Sequence, residues 1–550
     1  MVEGYPDGRA RPAPPALLHR PRSAAPCPPD VRAVGQDGRV SQHTPDASPQ
    51  QPAPAAPDEP QVARAAAAST VSPSSDGRPV SRVVVVGGGP GGYEAALVAR
   101  RLGAQVTVVE RSGLGGSAVL TDVVPSKTLI ATAEWMTIAD RAPELGIRLA
   151  GVTGTADAVR DALRHTIDLG AVNTRVKALA AAQSADIRAR LQREGVEVVA
   201  GDGRLLDAEH VAVRTAEGDE RVLPADVVLV ATGATPRVLP DAQPDGERIL
   251  TWTQMYDLDE LPQRLVVVGS GVTGAEFAGA YTSLGADVVL VSSRDRVLPG
   301  EDADAAELIE RVFTQRGMTV MGRSRASSAR RTADGVVVTL EDGRTVEGSH
   351  VLLAVGSVPT TRGLGLEEAG VRLTPSGHVE VDKVSRTSVR GVYAAGDCTG
   401  VLPLASVAAT QGRIAMAHAL GDAVRPLSLT GVAANIFTAP EIATVGLSEA
   451  RLRERGIAYS TSMLPLARNP RAKMLGVRDG FVKIFARTGT GTVLGAVVVG
   501  PRASEAVFPL TLAVTHRLTT DDVADASTVY PSMSGTVAEV ARMLHQRTED

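Results

Sequence analysis

Two cysteines, Cys27 and Cys398, are all that this 550-residue chain carries. That scarcity excludes a disulfide framework and fits a reducing compartment, so a cytoplasmic location is expected. Neither sign of charge dominates. The 57 Lys and Arg against 62 Asp and Glu leave a net −5, which argues against a nucleic-acid partner. No basic run marks a membrane-surface segment. No stretch approaches 18 uninterrupted apolar residues, so no integral membrane segment is expected. No metal site is expected either.

Glycine and apolar residues are plentiful instead. A hydrophobic content of 43% is enough for large cores, and 55 glycines suit tight turns and nucleotide loops. The length sets an expectation of three to four domains of about 100–200 residues. Residues 1–80 belong to a different regime. They hold 16 of the 35 prolines, with Ala, Ser and Gln between, and balance eight acidic against eight basic residues. Such a segment buries too little apolar surface to offset its ordering entropy. Leu17–Leu18 is too short for a signal-peptide core. A disordered tail is expected there.

Order begins at Ser81. Val83–Val84–Val85–Val86 reads as a buried parallel strand, followed by Gly87–Gly88–Gly89–Pro90–Gly91–Gly92 and an apolar helix from Tyr93. This is a Gly-x-Gly-x-x-Gly turn between strand and helix. Gly87 allows the tight turn, Gly89 admits a pyrophosphate to the backbone, and Gly92 lets the helix pack on the strand. A second strand, residues 105–109, ends at Glu110, which stands 23 residues after Gly87, where a ribose 2′-hydroxyl would be held. The unit recurs. Residues 264–268 lead into Gly269–Ser270–Gly271–Val272–Thr273–Gly274, and residues 287–291 form the next strand. Two turns imply two dinucleotides, and two sites facing one another suggest hydride exchange between nicotinamide and flavin. An NAD-specific unit usually ends its second strand with an acid; here Ser292–Ser293–Arg294 follow instead. Serines and an arginine suit a 2′-phosphate, which favours NADPH with NADH tolerated, although Arg294 also reads as a solvated loop charge.

Residues 115–127 run Gly-Gly-Ser-Ala-Val-Leu-Thr-Asp-Val-Val-Pro-Ser-Lys. This segment resembles the one that carries the redox disulfide in the FAD-dependent pyridine-nucleotide disulfide oxidoreductases, which reads Gly-Gly-Thr-Cys-x-Asn-x-Gly-Cys-x-Pro-Ser-Lys. The resemblance extends over 81–550. Ala231–Thr232–Gly233 and the segment around Gly356 resemble the family's two crossovers, Gly391–Asp397 its second flavin motif, and Phe437–Gly446 the opening of its interface domain. It implies FAD held by Gly87, Gly89, Gly92, Glu110, Gly116, Lys127, the Ala231–Thr232–Gly233 crossover and Asp397. Ala405 would start a helix whose dipole stabilises negative charge on reduced flavin. Gly269, Gly271, Gly274, Ser292, Arg294 and Gly356 would serve the nicotinamide coenzyme. Lys127 and Glu276 would form a buried ion pair beside flavin N5, with Pro125 in the first helical turn.

The departures are concerted. The two cysteine positions are Ala118 and Val123, and neither residue can supply the thiolate that disulfide exchange requires. At the C-terminus Tyr530 replaces the family's acid–base histidine and Gly535 its orienting glutamate. A phenol near about pKa 10 replaces imidazole poorly. This pattern resembles the NAD(P)H:quinone reductases of the lipoamide-dehydrogenase-like branch, in which a quinone takes the electrons and Tyr530 of the partner subunit would line the acceptor pocket. A packing role for Tyr530 at the dimer interface is the other reading. Two other functions stay open: a pyridine-nucleotide transhydrogenase, and a flavin-containing interaction protein whose catalysis has lapsed.

The fold class implied is α/β. Two Rossmann-like dinucleotide-binding domains would be joined by a mixed α/β C-terminal dimerisation domain. An FAD-binding domain is expected over 81–250 and 351–425, an NAD(P)-binding domain over 251–350, and a homodimer-forming domain over 426–550. Residues 481–485, alternating apolar and polar, read as a half-buried strand beside residues 497–499.

Overall fold

The computed structural model describes residues 80–139, 141–146 and 167–545. The expected tail, apart from Val80, lies outside the described residues. Valine-rich segments form the sheet centres, because β-branched side chains covered on both faces suit parallel strands. In the first sheet all strands run parallel in the spatial order 392–394, 227–230, 82–86, 105–110, 197–200. Strand Val392–Ala394 pairs with Val227–Val230 across more than 160 intervening residues, so the domain is discontinuous in sequence. The second sheet repeats the parallel plan in the order 319–321, 287–291, 264–268, 350–353, 249–251. Its edge strand Ile249–Thr251 sits astride the boundary expected at 250/251.

Each glycine turn leads from the central strand of its sheet into a helix, Pro90–Arg101 in the first and Val272–Leu284 in the second. The C-terminal sheet is antiparallel, in the order 433–436, 441–446, 493–500, 481–487, 459–465. Strand Val493–Gly500 does neighbour Phe481–Arg487, with Phe481 opposite Val499.

That strand is not half-buried. Phe481 through Ala486 are all buried, because the sheet is covered on both sides. Val482, Ile484 and Ala486 face helices of the C-terminal region, while Phe481 and Phe485 join the core that contains Phe277, Tyr281 and Phe313 of the second nucleotide unit. Lys483 lies on this second face. Its Nζ meets Asp302 Oδ2 at 3.0 Å, Asp304 Oδ2 at 2.7 Å and Glu449 Oε2 at 3.0 Å. Burial pulls the ammonium down, but the bonds to Asp304, Glu449 and Asp302 outweigh it and hold it above its ordinary range. Asp302 in turn caps helix Ala303–Gln315 through Oδ1. No helix among the described residues is long and apolar enough to cross a membrane.

Candidate active site

The two glycine turns share one construction. Gly87 has φ +103° and Gly269 +112°, a region costly for any residue with a Cβ. A Cβ at either would overlap a carbonyl oxygen of the adjoining strand end, Ala231 in the first unit and Ala354 in the second. Gly92 and Gly274 press the helix onto the turn, since a Cβ there would overlap the carbonyl of Gly87 or Gly269. Gly89 and Gly271 face open space and cap helices that have no side-chain cap. Uncapped N–H groups beside an open cradle fit an anionic pyrophosphate. Gly116 brings the 115–116 turn onto the first cradle, where its Cβ would stand 2.9 Å from Gly89 Cα.

Glu110 braces the turn that it follows. Its Oε2 accepts from Gly88 N–H at 2.6 Å, and Oε1 accepts from Ser112 at 2.7 Å and Gly113 at 3.2 Å. Oε2 retains a lone pair for a ribose hydroxyl. Ala231 is buried beneath the crossover, while Thr232 Oγ1 donates to Thr360 O at 2.7 Å and Gly233 O accepts from Thr360 N–H. Gly356 O accepts from Arg237 N–H, closing the second crossover against the first. Asp397 opens a short turn, and burial raises its carboxyl above the ordinary value. Ala405 begins helix Ala405–Ala419, whose N-cap residue Leu404 supplies no side-chain cap. The N–H groups of that first turn are open to a ligand, as a flavin edge would require.

Lys127 and Glu276 meet. Nζ lies 2.8 Å from Oε2, although 149 residues separate the two in sequence. Glu276 is 3% exposed and Lys127 25% exposed. The second carboxylate oxygen accepts from Phe437 N–H at 2.8 Å, and the Lys127 ammonium stands 5.1 Å from the Phe437 ring centroid. Both glutamate oxygens are therefore satisfied, and the ammonium is held by charge and ring together. Pro125 does lie in the first turn of helix Val123–Ala139.

At the coenzyme end the structure revises one role. Ser292 is fully buried, its Oγ 2.7 Å from Ser270 Oγ and bonded to backbone at Arg294 and Arg296. Its hydroxyl is used in shaping the loop and does not face solvent. Ser293 and Arg294 are exposed. So is Arg323, whose N–H donates to Arg294 O at 2.6 Å, which places a second arginine beside the first.

The positions of the missing relay are equally plain. Ala118 lies in helix Gly116–Leu120, Val123 starts the helix that carries Lys127, and neither holds sulfur. Cys398 is buried, and burial pushes its thiol up to about 11, which leaves it unreactive. Tyr530 is 82% exposed on the protomer, and Gly535 opens helix Gly535–Met543.

A family model described as pyridine nucleotide-disulphide oxidoreductase matches residues 81–412, and the dimerisation-domain model of the same family matches 432–541. The chain belongs to this family. Among curated relatives, it is 54% identical over 474 residues to an NAD(P)H dehydrogenase (quinone) of Mycobacterium tuberculosis, covering 84% of this chain and 94% of the relative. A dihydrolipoyl dehydrogenase of Bacillus subtilis is 33% identical over 464 residues, 84% of this chain and 95% of the relative. Among solved structures, LpdA from Mycobacterium tuberculosis superposes with TM-score 0.80 at 54% identity, over 85% of this chain and all of that one.

Within this family member, sequence reasoning assigned no site role to Phe437, whose N–H and ring hold the Glu276–Lys127 pair, or to Arg323 beside Arg294. Phe437 lies in a motif segment but in no glycine turn, and Arg323 lies in neither.

Proposed function

We propose that the protein is an FAD-dependent NAD(P)H:quinone oxidoreductase that works without a dithiol relay, as a homodimer in the cytosol. One observation carries the reading. The Lys127–Glu276 pair is intact at 2.8 Å, whereas both relay positions hold Ala118 and Val123. The name of the 54% identical relative supports it, as does the dimerisation-domain match.

FAD, when bound, accepts two electrons from the nicotinamide and delivers them to the acceptor. The open Gly89 cradle, with Gly116 packed against it, would take its pyrophosphate, and Glu110 and Asp397 its hydroxyl-bearing chains. The crossover residues Ala231, Thr232 and Gly233 would border it, and the uncapped N–H groups from Ala405 onward would face its polar edge. Gly271 and its helix would take the coenzyme pyrophosphate. Lys127 holds a positive charge where negative charge develops, and Glu276 fixes that ammonium in place. Tyr530 would line the acceptor pocket from the partner subunit. The domain division at 81–250 with 351–425, 251–350 and 426–550 is part of this reading.

NADPH is the favoured coenzyme. Arg294 and Arg323 are exposed and joined through their backbones, and with Ser293 they stand just past the end of strand Asp287–Val291, where the adenosine 2′-phosphate would lie. Charge-assisted bonds to phosphate are the strong kind, so Arg294→Ala and Arg323→Ala should each raise the KM for NADPH about tenfold. The KM for NADH should stay unchanged. An equal rise for both coenzymes would remove the 2′-phosphate assignment.

The function itself is tested anaerobically. The yellow protein is bleached with NADPH, then mixed separately with a benzoquinone, lipoamide or NAD+. Rapid return of the flavin band with quinone alone is expected. Return with NAD+ alone would make the protein a transhydrogenase, and no return with any acceptor would fit a lapsed enzyme.

A further inference from the structure

A cavity of about 500 Å³ opens between helix Val123–Ala139, helix Val272–Leu284 and the loops at 437–441 and 474–479. That size falls within the roughly 300–1,000 Å³ of small-ligand clefts. Glu276 and Phe437 form part of its wall, whereas Lys127 does not. Residues 130, 133, 134 and 137 line it from the first helix and 276, 279, 280 and 283 from the second, each set spaced as one helical face requires. Thr137 Oγ1 donates to Ser283 Oγ at 3.3 Å and ties the two faces together. Ile130, Ala133, Ala280, Pro440 and Leu475 make much of the wall apolar. Its charged groups are nearly all engaged. Glu276 accepts from Lys127 and from Phe437 N–H, and Glu441 accepts from Ser504 N–H at 2.9 Å. Glu144 pairs with Arg478 at 3.2 Å, Asp479 meets Arg311 at 3.4 Å, and Arg141 donates to the Leu475 carbonyl. Arg316 has a partner as well. Glu134 is the exception. It is half-buried on the cavity side of its helix, and its carboxylate has no hydrogen bond or ion pair among the described residues.

We propose that this cavity binds an organic amine with an apolar, ring-sized body, and that its occupancy slows hydride transfer to the flavin. The binding stands on the cavity alone, and the effect on hydride transfer rests on the reductase reading. A partly desolvated carboxylate without a partner is stabilised by a bound cation, and apolar walls favour a ligand whose remainder is uncharged. Both dinucleotides are anions with glycine cradles of their own, and a neutral quinone would leave Glu134 unpaired. The ammonium would pair with Glu134, and the apolar body would lie along Ile130, Ala133 and Ala280 towards Glu276 and Phe437. A positive charge in this cavity competes with Lys127 for the Glu276 carboxylate. A body packed on Phe437 disturbs the N–H and the ring that hold the pair. The ligand thus acts on the charge at the hydride-transfer position without occupying the coenzyme site.

The test titrates the full-length, flavin-loaded protein by calorimetry with three probes of one shape: naphthylmethylamine, naphthylmethanol and naphthoate. The amine should bind about tenfold tighter than the alcohol, as a charge-assisted bond allows, and the acid should bind weakest. Glu134→Gln should remove the advantage of the amine and leave the affinity for the alcohol unchanged. Glu134→Lys places an ammonium on the wall itself and should abolish amine binding. Stopped-flow bleaching at saturating NADPH reads the coupling. Saturating amine should slow it about fivefold in the wild type, the lower end of coupling between sites, and should have no effect in Glu134→Lys. Without amine, both variants should bleach at the wild-type rate. Equal affinity for the three probes, binding of none of them, or amine binding untouched by Glu134→Gln overturns the proposal. Binding of none is also the result expected if the second protomer covers the cavity in the dimer. Amine binding that leaves the bleaching rate unchanged overturns the link to hydride transfer. If NADPH fails to bleach the flavin even without ligand, the reductase reading falls, and the calorimetric difference between amine and alcohol still decides the site.

Discussion

Lys127→Ala is expected to slow reduction of the bound flavin by NADPH about 100-fold, the usual scale for removing one preorganised electrostatic partner. Glu276 is 3% exposed, so the variant leaves its carboxylate buried with only the Phe437 N–H as partner. Stranding a buried charge costs about 3–5 kcal/mol. The site answers by protonating the glutamate or admitting water, and either response changes the field at the hydride-transfer position. Glu276→Ala should slow the same step by a similar factor. The double variant should be far from additive, because the two side chains act as one unit. Stopped-flow absorbance at the flavin band measures all three. Wild-type rates in both single variants would make the pair structural and displace the hydride-transfer site from it.

The second large effect is on stability. Lys483→Met should lower the thermal midpoint by about 3–5 °C, which corresponds to the roughly 3–5 kcal/mol lost when a buried pair is broken from one side. Lys483 and Asp302 have side-chain exposures of 6% and 3%, and Asp304 and Glu449 share the same ammonium. Removing it leaves three carboxylates facing one another at the joint between helix Ala303–Gln315 and the C-terminal sheet. Arg386 and Asp382 make an equally short contact of 2.7 Å, but both are largely exposed. Arg386→Ala should therefore cost under about 1 kcal/mol. A midpoint for Lys483→Met no lower than that of Arg386→Ala would show the buried cluster to be energetically idle.

Burial also explains where sequence reasoning went wrong. Residues 481–485 alternate as a strand with one wet face would, yet Lys483 faces another core rather than water. Period-2 patterning says which residues share a face, not whether something covers it. The cover comes from the second nucleotide unit, nearly 200 residues earlier in the chain. Ser292 was misjudged for a related reason. Its position at the strand end is legible, but the partner that turns it inward, Ser270, comes from the glycine turn of the neighbouring strand.

By itself the sequence determined the two dinucleotide turns, their order and the absence of a thiol relay. Those features are local. The turn holds Gly87 at φ +103°, and a Cβ at Gly92 would overlap the Gly87 carbonyl five residues earlier, while a position without sulfur cannot exchange disulfides. Tertiary structure alone decided what depends on burial and on residues distant in sequence. It brought Arg323 beside Arg294, set Phe437 against the Lys127–Glu276 pair that the family resemblance had implied, and drew Lys483 into three carboxylates. The free energy of a charge is set by the solvent it loses and the partners it gains, and neither is written along the chain.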